Sequence, residues 1–246
     1  MSRLDPNKLP RHLAIIPDGN GRWAEAQGLP REAGHRRGSE VVREIIRAAH
    51  EIGIRILTLY AFSSENWDRP EGEVRAIMDL LAEYIDDEGD ELASNGIQVR
   101  AIGRLEELRP RLRRRLAALE RRTEQNDEMR LTFALSYSGR AEIVDAVRQI
   151  ARRVEAGQLE PDAIDEKTVA QSLYAPELPD PDLLIRTGVE RRVSNFLLWQ
   201  LAYTELYITD LLWPDFQKGD LVEALLAYQD RERRFGRTGA QIRAGR

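Results

Sequence analysis

Leu13-Ala14-Ile15-Ile16-Pro17-Asp18-Gly19-Asn20-Gly21-Arg22-Trp23 decides how the rest of the chain is read. Its apolar run, Leu13 to Ile16, stops at a proline. Proline lacks an N–H and biases the residue before it towards extended backbone, so the run reads as the end of a buried strand. The carboxylate, glycines, asparagine and arginine that follow read as a tight turn opening a helix. Such a junction offers backbone N–H groups and a helix N-terminus to an anion. Asp18 would repel a bare phosphate, and a divalent cation between carboxylate and phosphate reconciles the two. The stretch therefore points to a metal–diphosphate site. A helix N-cap is the structural alternative for Asp18. Gly19-Asn20-Gly21 is not a dinucleotide fingerprint, which needs a third glycine and an acidic residue after the second strand, and no P-loop motif occurs.

Outward from this turn, strand and helix patterns alternate. Val41, Val42, Ile45, Ile46 and Ala49 have helical spacing within 34–52, and Gly53 suits the helix C-terminus. Ile54–Phe62 reads as a second strand, buried on both faces. A helix over 71–93 carries the stripe Val74, Ile77, Met78, Leu81 and Ile85. At about 23 residues it would be roughly 34 Å long, enough to pack the core or to line a long greasy tunnel. Ile97–Ile102 is a third strand, 105–124 a basic helix, and Arg130–Leu135 a fourth strand. A helix over 141–154 presents Ile143, Val144, Val147 and Ile150. A short helix at 165–173, a strand at 183–185, a short helix at 195–200, a strand at 205–208 and a helix at 221–228 complete the pattern. This predicts an α/β fold with a mainly parallel six-stranded sheet, surrounding helices, and one domain over 1–246. Residues 1–11 form an irregular lead-in and 237–246 a disordered tail. Right-handed crossovers bring the loops at 17–22, 63–69, 136–140 and 186–194 to one rim, where open α/β sheets bind ligands.

The bulk numbers narrow the function. Across 246 residues the net charge is −5, with 32% charged and 42% hydrophobic residues. No nucleic-acid partner is expected of an acidic chain. Without cysteine there is no disulfide, iron–sulfur or thiol chemistry, and three histidines leave little for zinc. No run is long and apolar enough for a membrane span, and the N-terminus lacks a signal peptide's apolar core, so a cytoplasmic protein is expected.

The four rim loops supply Asp18, Asn20, Arg22, Ser63, Asn66, Arg69, Arg186, Arg192 and Ser194. A guanidinium fork bonds two phosphate oxygens at once, and five or six cations, counting Arg31 and Arg36, suggest two anionic ligands. Any one of these arginines is more simply explained as surface charge. That reading weakens for Arg186, directly after an apolar strand, and for Arg22, inside the glycine turn. His35 is a candidate proton donor beside a leaving phosphate or a satisfied helix-cap histidine.

His12 to Ala24, Gly34-His35-Arg36-Arg37-Gly38, Leu59 to Trp67 with Arg69-Pro70, Asp182 to Gly188, Ser194 to Tyr203 and Trp213 to Phe216 together resemble the cis-prenyltransferase family, on its bacterial branch. The resemblance covers about residue 12 to Gly236. It implies a homodimeric, magnesium-dependent enzyme that adds isopentenyl diphosphate repeatedly to an allylic diphosphate such as farnesyl diphosphate, forming cis double bonds. The implied product is a long polyprenyl diphosphate of undecaprenyl length, the lipid-carrier precursor for cell-wall synthesis. By motif, Asp18 is catalytic and holds magnesium, with Glu205 as a second metal-linked position. Gly19, Asn20, Gly21, Arg22, Trp23, Arg31 and His35 cradle the allylic diphosphate. Arg186, Arg192 and Ser194 grip isopentenyl diphosphate. Ser63, Asn66, Trp67 and Arg69 match the loop that positions it, with Asn66 assisting proton removal. Arg234-Phe235-Gly236 matches a motif that reaches the partner subunit's site. The helix stripe, Ile54–Phe62 and Leu131–Leu135 would wall the growing chain, with Ala61 leaving room.

Three departures from the family pattern stand out: Pro17 in place of Met, Val189 in place of a second glycine, and Ser136-Tyr137-Ser138 in place of Asn-Tyr-Gly. The alternatives are a shorter-chain synthase or a non-catalytic partner subunit. The latter would lack the aspartate and arginines that are present here. From the residues alone, a metal-dependent phosphohydrolase is the rival, but it would need more carboxylates near Asp18. A greasy product implies transient membrane contact for release. The basic run Arg109–Arg122 is the one candidate for it, and reads more simply as a solvated helix face.

Overall fold

A computed structural model describes residues 4–231. Arg234-Phe235-Gly236 and the expected tail at 237–246 lie outside the described residues. The chain runs β1 (His12–Ile16), α1 (Asn20–Ala26), α2 (Arg31–Ile52), β2 (Ile56–Ser63), a 3-10 turn (Ser64–Asp68) and α3 (Glu71–Ser94). It continues with β3 (Ile97–Ile102), α4 (Pro110–Arg122), β4 (Met129–Tyr137), α5 (Gly139–Glu155), α6 (Glu166–Ala170), β5 (Leu183–Arg186), β6 (Glu205–Ile208) and α7 (Lys218–Gln229). The six strands form one sheet in the order β3-β4-β2-β1-β5-β6, every pairing parallel. All strands therefore end on one edge.

Alternation along the strands divides the core between two faces. Leu13, Ile15, Leu57, Leu59, Leu131 and Phe133 join the larger cluster, packed by α2, α3, α4 and α7. Ala14, Ile16, Tyr60, Ala134 and Leu184 face the smaller one, covered by Phe196 and Leu197. Near the rim the alternation slips. Tyr60 pairs with Ala134 and Phe62 with Leu135, so Ala61 is the extra residue of a bulge in β2 and its side chain is exposed.

Most elements lie where their spacing puts them, and the exceptions have physical causes. The basic helix begins at Pro110 instead of 105, because proline fixes its own backbone and restricts Arg109, leaving 105–107 as a 3-10 turn. The buried face of α5 is Glu142, Ala146 and Ile150, whereas Val144 and Val147 are exposed. Glu142 can be buried because its carboxylate accepts from Tyr137 Oη (2.5 Å), Gln200 Nε2 (3.1 Å) and the Tyr174 N–H (3.0 Å). The helix expected at 195–200 is a series of turns. Ser194, Asn195 and Leu197 have φ of 46°, 62° and 43°, left-handed values that interrupt a helix.

His12, at the start of β1, is buried, with Nδ1 donating to the Pro179 carbonyl (2.7 Å) and Nε2 accepting from Thr58 Oγ1 (2.8 Å). Burial lowers its pKa from 6.5 to about 4, against the smaller opposing effects of the Pro179 carbonyl and Asp182. A base neutral in the fold and protonated when unfolded contributes stability above pH 6.5 that is lost as pH falls towards 4. The loss should reach about 3 kcal/mol at the acid end. Denaturant titrations at pH 7 and 4.5 check this: His12→Asn should show a shallower acid loss than the parent, and equal losses would place the acid lability elsewhere.

Candidate active site

Asp18 follows β1 and meets the end of β5. Its N–H donates to Thr187 Oγ1 (2.9 Å), and that hydroxyl donates back to the Asp18 carbonyl (2.9 Å), which also accepts from the Trp213 N–H (2.9 Å). With its backbone fixed, the carboxylate bridges two arginines, Oδ1 to Arg22 Nη2 (3.0 Å) and Oδ2 to Arg186 Nη2 (2.8 Å). Arg186 is only 4% exposed, and its Nη1 donates to Ser194 Oγ (2.6 Å) and to the Arg192 carbonyl. Its buried Nε has no partner. Gly188 has φ of 81°, and a side chain there would strike Arg22 Nη2. Val189 beside it is 56% exposed and does not line the cavity. Pro17 does line the cavity.

A second constellation sits at the start of α1 and α2. Gly19, at φ 114°, precedes the first turn of α1. A side chain at Gly21 would overlap the Arg31 guanidinium, so glycine here lets the cation lie against the helix. Asn20 Nδ2 donates to His35 Nδ1 (3.4 Å), and the buried Asn20 Oδ1 is unpaired. His35 Nε2 donates to Glu73 Oε1 (3.0 Å), so the network fits a neutral imidazole protonated at Nε2. Burial lowers the His35 pKa, and Glu73 partly opposes that. The Nε2 hydrogen is thus committed to Glu73.

Glu73, near the start of α3, was not expected from the sequence. Its buried carboxylate also takes Arg31 Nε (3.1 Å) and Arg69 Nη1 (3.0 Å). Burial pushes its pKa up, but the bonds from His35 and Arg31 and the charge of Arg69 outweigh it and hold the group below its usual value. The spacing Arg69-Pro70-x-x-Glu73, an i,i+4 pair at a proline-started helix, was the available clue.

The arginines and the histidine that Asp18 and Glu73 gather line one cavity of about 630 Å³, while Glu73 itself lies behind the wall. Around it stand Asp18, Gly19, Asn20, Gly21, Arg22, Arg31, His35, Ser63, Asn66, Arg69, Arg186, Arg192 and Ser194. Its apolar wall is Val42, Leu59, Ala61, Ile77, Leu80, Leu81, Tyr84 and Phe133. The α3 stripe is therefore shared: Met78 and Ile85 are buried in the core, while Ile77, Leu80, Leu81 and Tyr84 face the cavity. Tyr84 is 11 residues beyond Glu73, or roughly 16 Å along the helix.

Three expected site residues do not line the cavity. Trp23 donates from Nε1 to Asp215 Oδ1 (2.8 Å), and Trp67 from Nε1 to Ser136 Oγ (2.7 Å), so both brace loops. Glu205 opens β6, opposite Leu183, while Arg186 pairs with Ile208 at the rim. It sits three residues, about 10 Å, back along its strand and pairs with Arg231 Nη1 (2.8 Å). The fold does not bring Glu205 to Asp18 within one chain. Among the described residues no three His, Cys, Asp or Glu side chains cluster to hold a metal. The lone Asp18 carboxylate still suits magnesium, which binds through one or two carboxylates plus substrate phosphates and water.

The residues from 16 to 236 match the family model described as putative undecaprenyl diphosphate synthase. An isoprenyl transferase of Heliobacterium mobile is 51% identical over 234 residues, covering 95% of this chain and 90% of that protein. A ditrans,polycis-undecaprenyl-diphosphate synthase of Aliivibrio fischeri, (2E,6E)-farnesyl-diphosphate specific, is 48% identical over 98% of this chain and 94% of its own length. The crystal structure of lavandulyl diphosphate synthase from Lavandula x intermedia, in complex with dimethylallyl diphosphate, superposes with a TM-score of 0.91 at 40% identity, covering 94% of this chain and 99% of that one. The fold and sequence are those of a prenyltransferase of isoprenoid biosynthesis. The chain belongs to the undecaprenyl diphosphate synthase family of isoprenyl transferases.

Glu73 raises the pKa of His35, so Glu73→Gln should lower it further. An NMR titration of the His35 ring protons reads this directly. An unchanged titration would show that Glu73 does not set the imidazole's electrostatics.

Proposed function

We propose that this chain condenses isopentenyl diphosphate repeatedly onto farnesyl diphosphate, with cis double bonds, to make undecaprenyl diphosphate. The observation that carries this is one cavity joining two cation-rich anion sites to an apolar wall. The relatives' names supply the substrates and chain length. Asn20, Arg22, Arg31 and His35, with the turn at Gly19 and Gly21, would hold the allylic diphosphate. Arg186, Arg192 and Ser194 would hold that of isopentenyl diphosphate, with Ser63, Asn66 and Arg69 positioning it. Magnesium held by Asp18 would neutralise charge on the departing diphosphate.

In each cycle the allylic C1–O bond breaks, the isopentenyl double bond attacks C1, and the new C–C bond forms as a proton leaves. Fixing both diphosphates converts an encounter into a near-unimolecular step. The cationic side chains stabilise charge that grows on the leaving oxygen. The apolar wall takes the lengthening chain out of water.

Of the protein's wider setting, we read the chain as one domain, a homodimer, and a cytoplasmic enzyme with transient membrane contact at product release. Tyr203, Leu206 and Leu211, exposed around the edge strand β6, support a second copy as partner. No helix among the described residues is long and apolar enough to cross a membrane.

Incubation with farnesyl diphosphate, labelled isopentenyl diphosphate and magnesium should give a ladder ending near C55; no extension would sink this reading. Asp18→Ala should cost at least about 3 kcal/mol in kcat/KM. Near-normal turnover in that variant would remove Asp18 from the metal role.

A further inference from the structure

The geometry points to Asn195 as a positioning residue that locks the loop carrying Ser194 to the loop after β2, and so sets the affinity for isopentenyl diphosphate. The inference rests on the reading of Arg186, Arg192 and Ser194 as the isopentenyl diphosphate grip.

Ser194 and Asn195 are consecutive non-glycine residues in left-handed backbone. Such a conformation costs energy and persists only where the surroundings over-determine it. Here the side-chain amide of Asn195 and its carbonyl are all engaged. Its Nδ2 donates to Glu65 Oε1 (2.6 Å), in the turn after β2, and to Ser138 Oγ (2.7 Å), which caps α5. Its Oδ1 accepts from the Arg140 N–H (2.9 Å), and its carbonyl accepts from the Gly139 N–H (2.7 Å). The kink held in this way turns Ser194 Oγ to Arg186 Nη1, 2.6 Å away.

Asn195 therefore ties three strand ends together. β4 and α5 supply Ser138, Gly139 and Arg140, β2 supplies Glu65, and β5 supplies the arginine that Ser194 meets. Glu65 is followed at once by Asn66, and both line the cavity. Ser138, where glycine is usual in the family pattern, gives Asn195 a hydroxyl partner that glycine would lack. The polarity is fixed, since Glu65 only accepts and Asn195 must donate to it. Replacing Asn195 with aspartate keeps the shape but sets two carboxylates against each other. Replacing Glu65 with glutamine as well restores a donor–acceptor pair in the reverse sense.

Steady-state kinetics of the full chain with farnesyl and isopentenyl diphosphates test this. Asn195→Asp should raise KM for isopentenyl diphosphate at least tenfold, leaving KM for farnesyl diphosphate within about twofold. The double variant Asn195→Asp, Glu65→Gln should recover to within about threefold of the parent. Ser138→Gly, which removes one partner and no charge, should raise the same KM about threefold. An active parent whose Asn195→Asp variant keeps its KM, or a double variant no better than Asn195→Asp, would overturn the inference alone. Equal rises in both KM values would reduce Asn195 to a general structural role and overturn it too. A parent inactive on both diphosphates would overturn the underlying reading and the inference with it.

Discussion

The ion pair between Asp18 and Arg186 is the constraint from which the site follows. Arg186 is almost fully buried at the end of a short strand, and a buried guanidinium without a counter-charge is strongly destabilising. Asp18 supplies that charge at 2.8 Å, and its backbone cannot drift because Thr187 and Trp213 hold it. The same pair welds the ends of β1 and β5, adjacent strands in the sheet. On the reading proposed above, the residue that would hold magnesium is also this structural counter-ion. Loss of Asp18 leaves the buried Arg186 without its counter-charge, so on that reading the structural and the metal-binding consequences would arrive together.

The rest of the site repeats this economy of charge. Glu73 gathers Arg31, His35 and Arg69 before any diphosphate arrives, as Asp18 gathers Arg22 and Arg186. On the proposed reading, cations so placed would need little reorganisation to meet phosphate oxygens, the condition under which fixed charges stabilise a transition state best. The carboxylates keep a cavity rich in arginine from repelling itself while empty. This also distinguishes the site from that of a metal-dependent hydrolase. Its carboxylates face arginines and a histidine instead of clustering as metal ligands.

The architecture was legible because parallel strands buried on both faces leave near-continuous apolar runs, and because strand ends, helix caps and prolines punctuate them. β3 and β6 lie where their patterns place them, and the turn at Asp18 opens a helix as its residues imply. What escaped were features set by contacts distant in sequence. Periodicity put Val144 and Val147 on the face of α5, but bonds from the distant Tyr174 and Gln200, with one from nearby Tyr137, bury Glu142 instead. The segment at 195–200 has helical composition, yet its bonds to the start of α5 hold it in left-handed turns. Trp23 and Trp67 travel in the right motifs but brace loops through their indole N–H groups. Glu205 lies in the right motif too, but at the wrong end of its strand to meet Asp18 in the same chain.

The helix α3 shows why one stripe could support two readings. A stripe about 100° wide is enough to anchor a helix, and α3 divides its stripe between core and cavity. Met78, Ile85 and Leu92 fix it to the sheet, while Ile77, Leu80, Leu81 and Tyr84 face open volume across from Leu59, Ala61 and Phe133. The bulge that exposes Ala61 places a small residue on that opposite wall. Ile77, Leu80 and Leu81 are only half-buried, so they forgo part of their dispersion contacts and of their burial from water. On the reading proposed above, an apolar chain entering the cavity would restore both and couple binding to folding along this helix, each added isoprene unit packing α3 more completely. The helix would then be stabilised least when the cavity is empty and most when the chain is long, growth of the product and tightening of the wall being the same physical event.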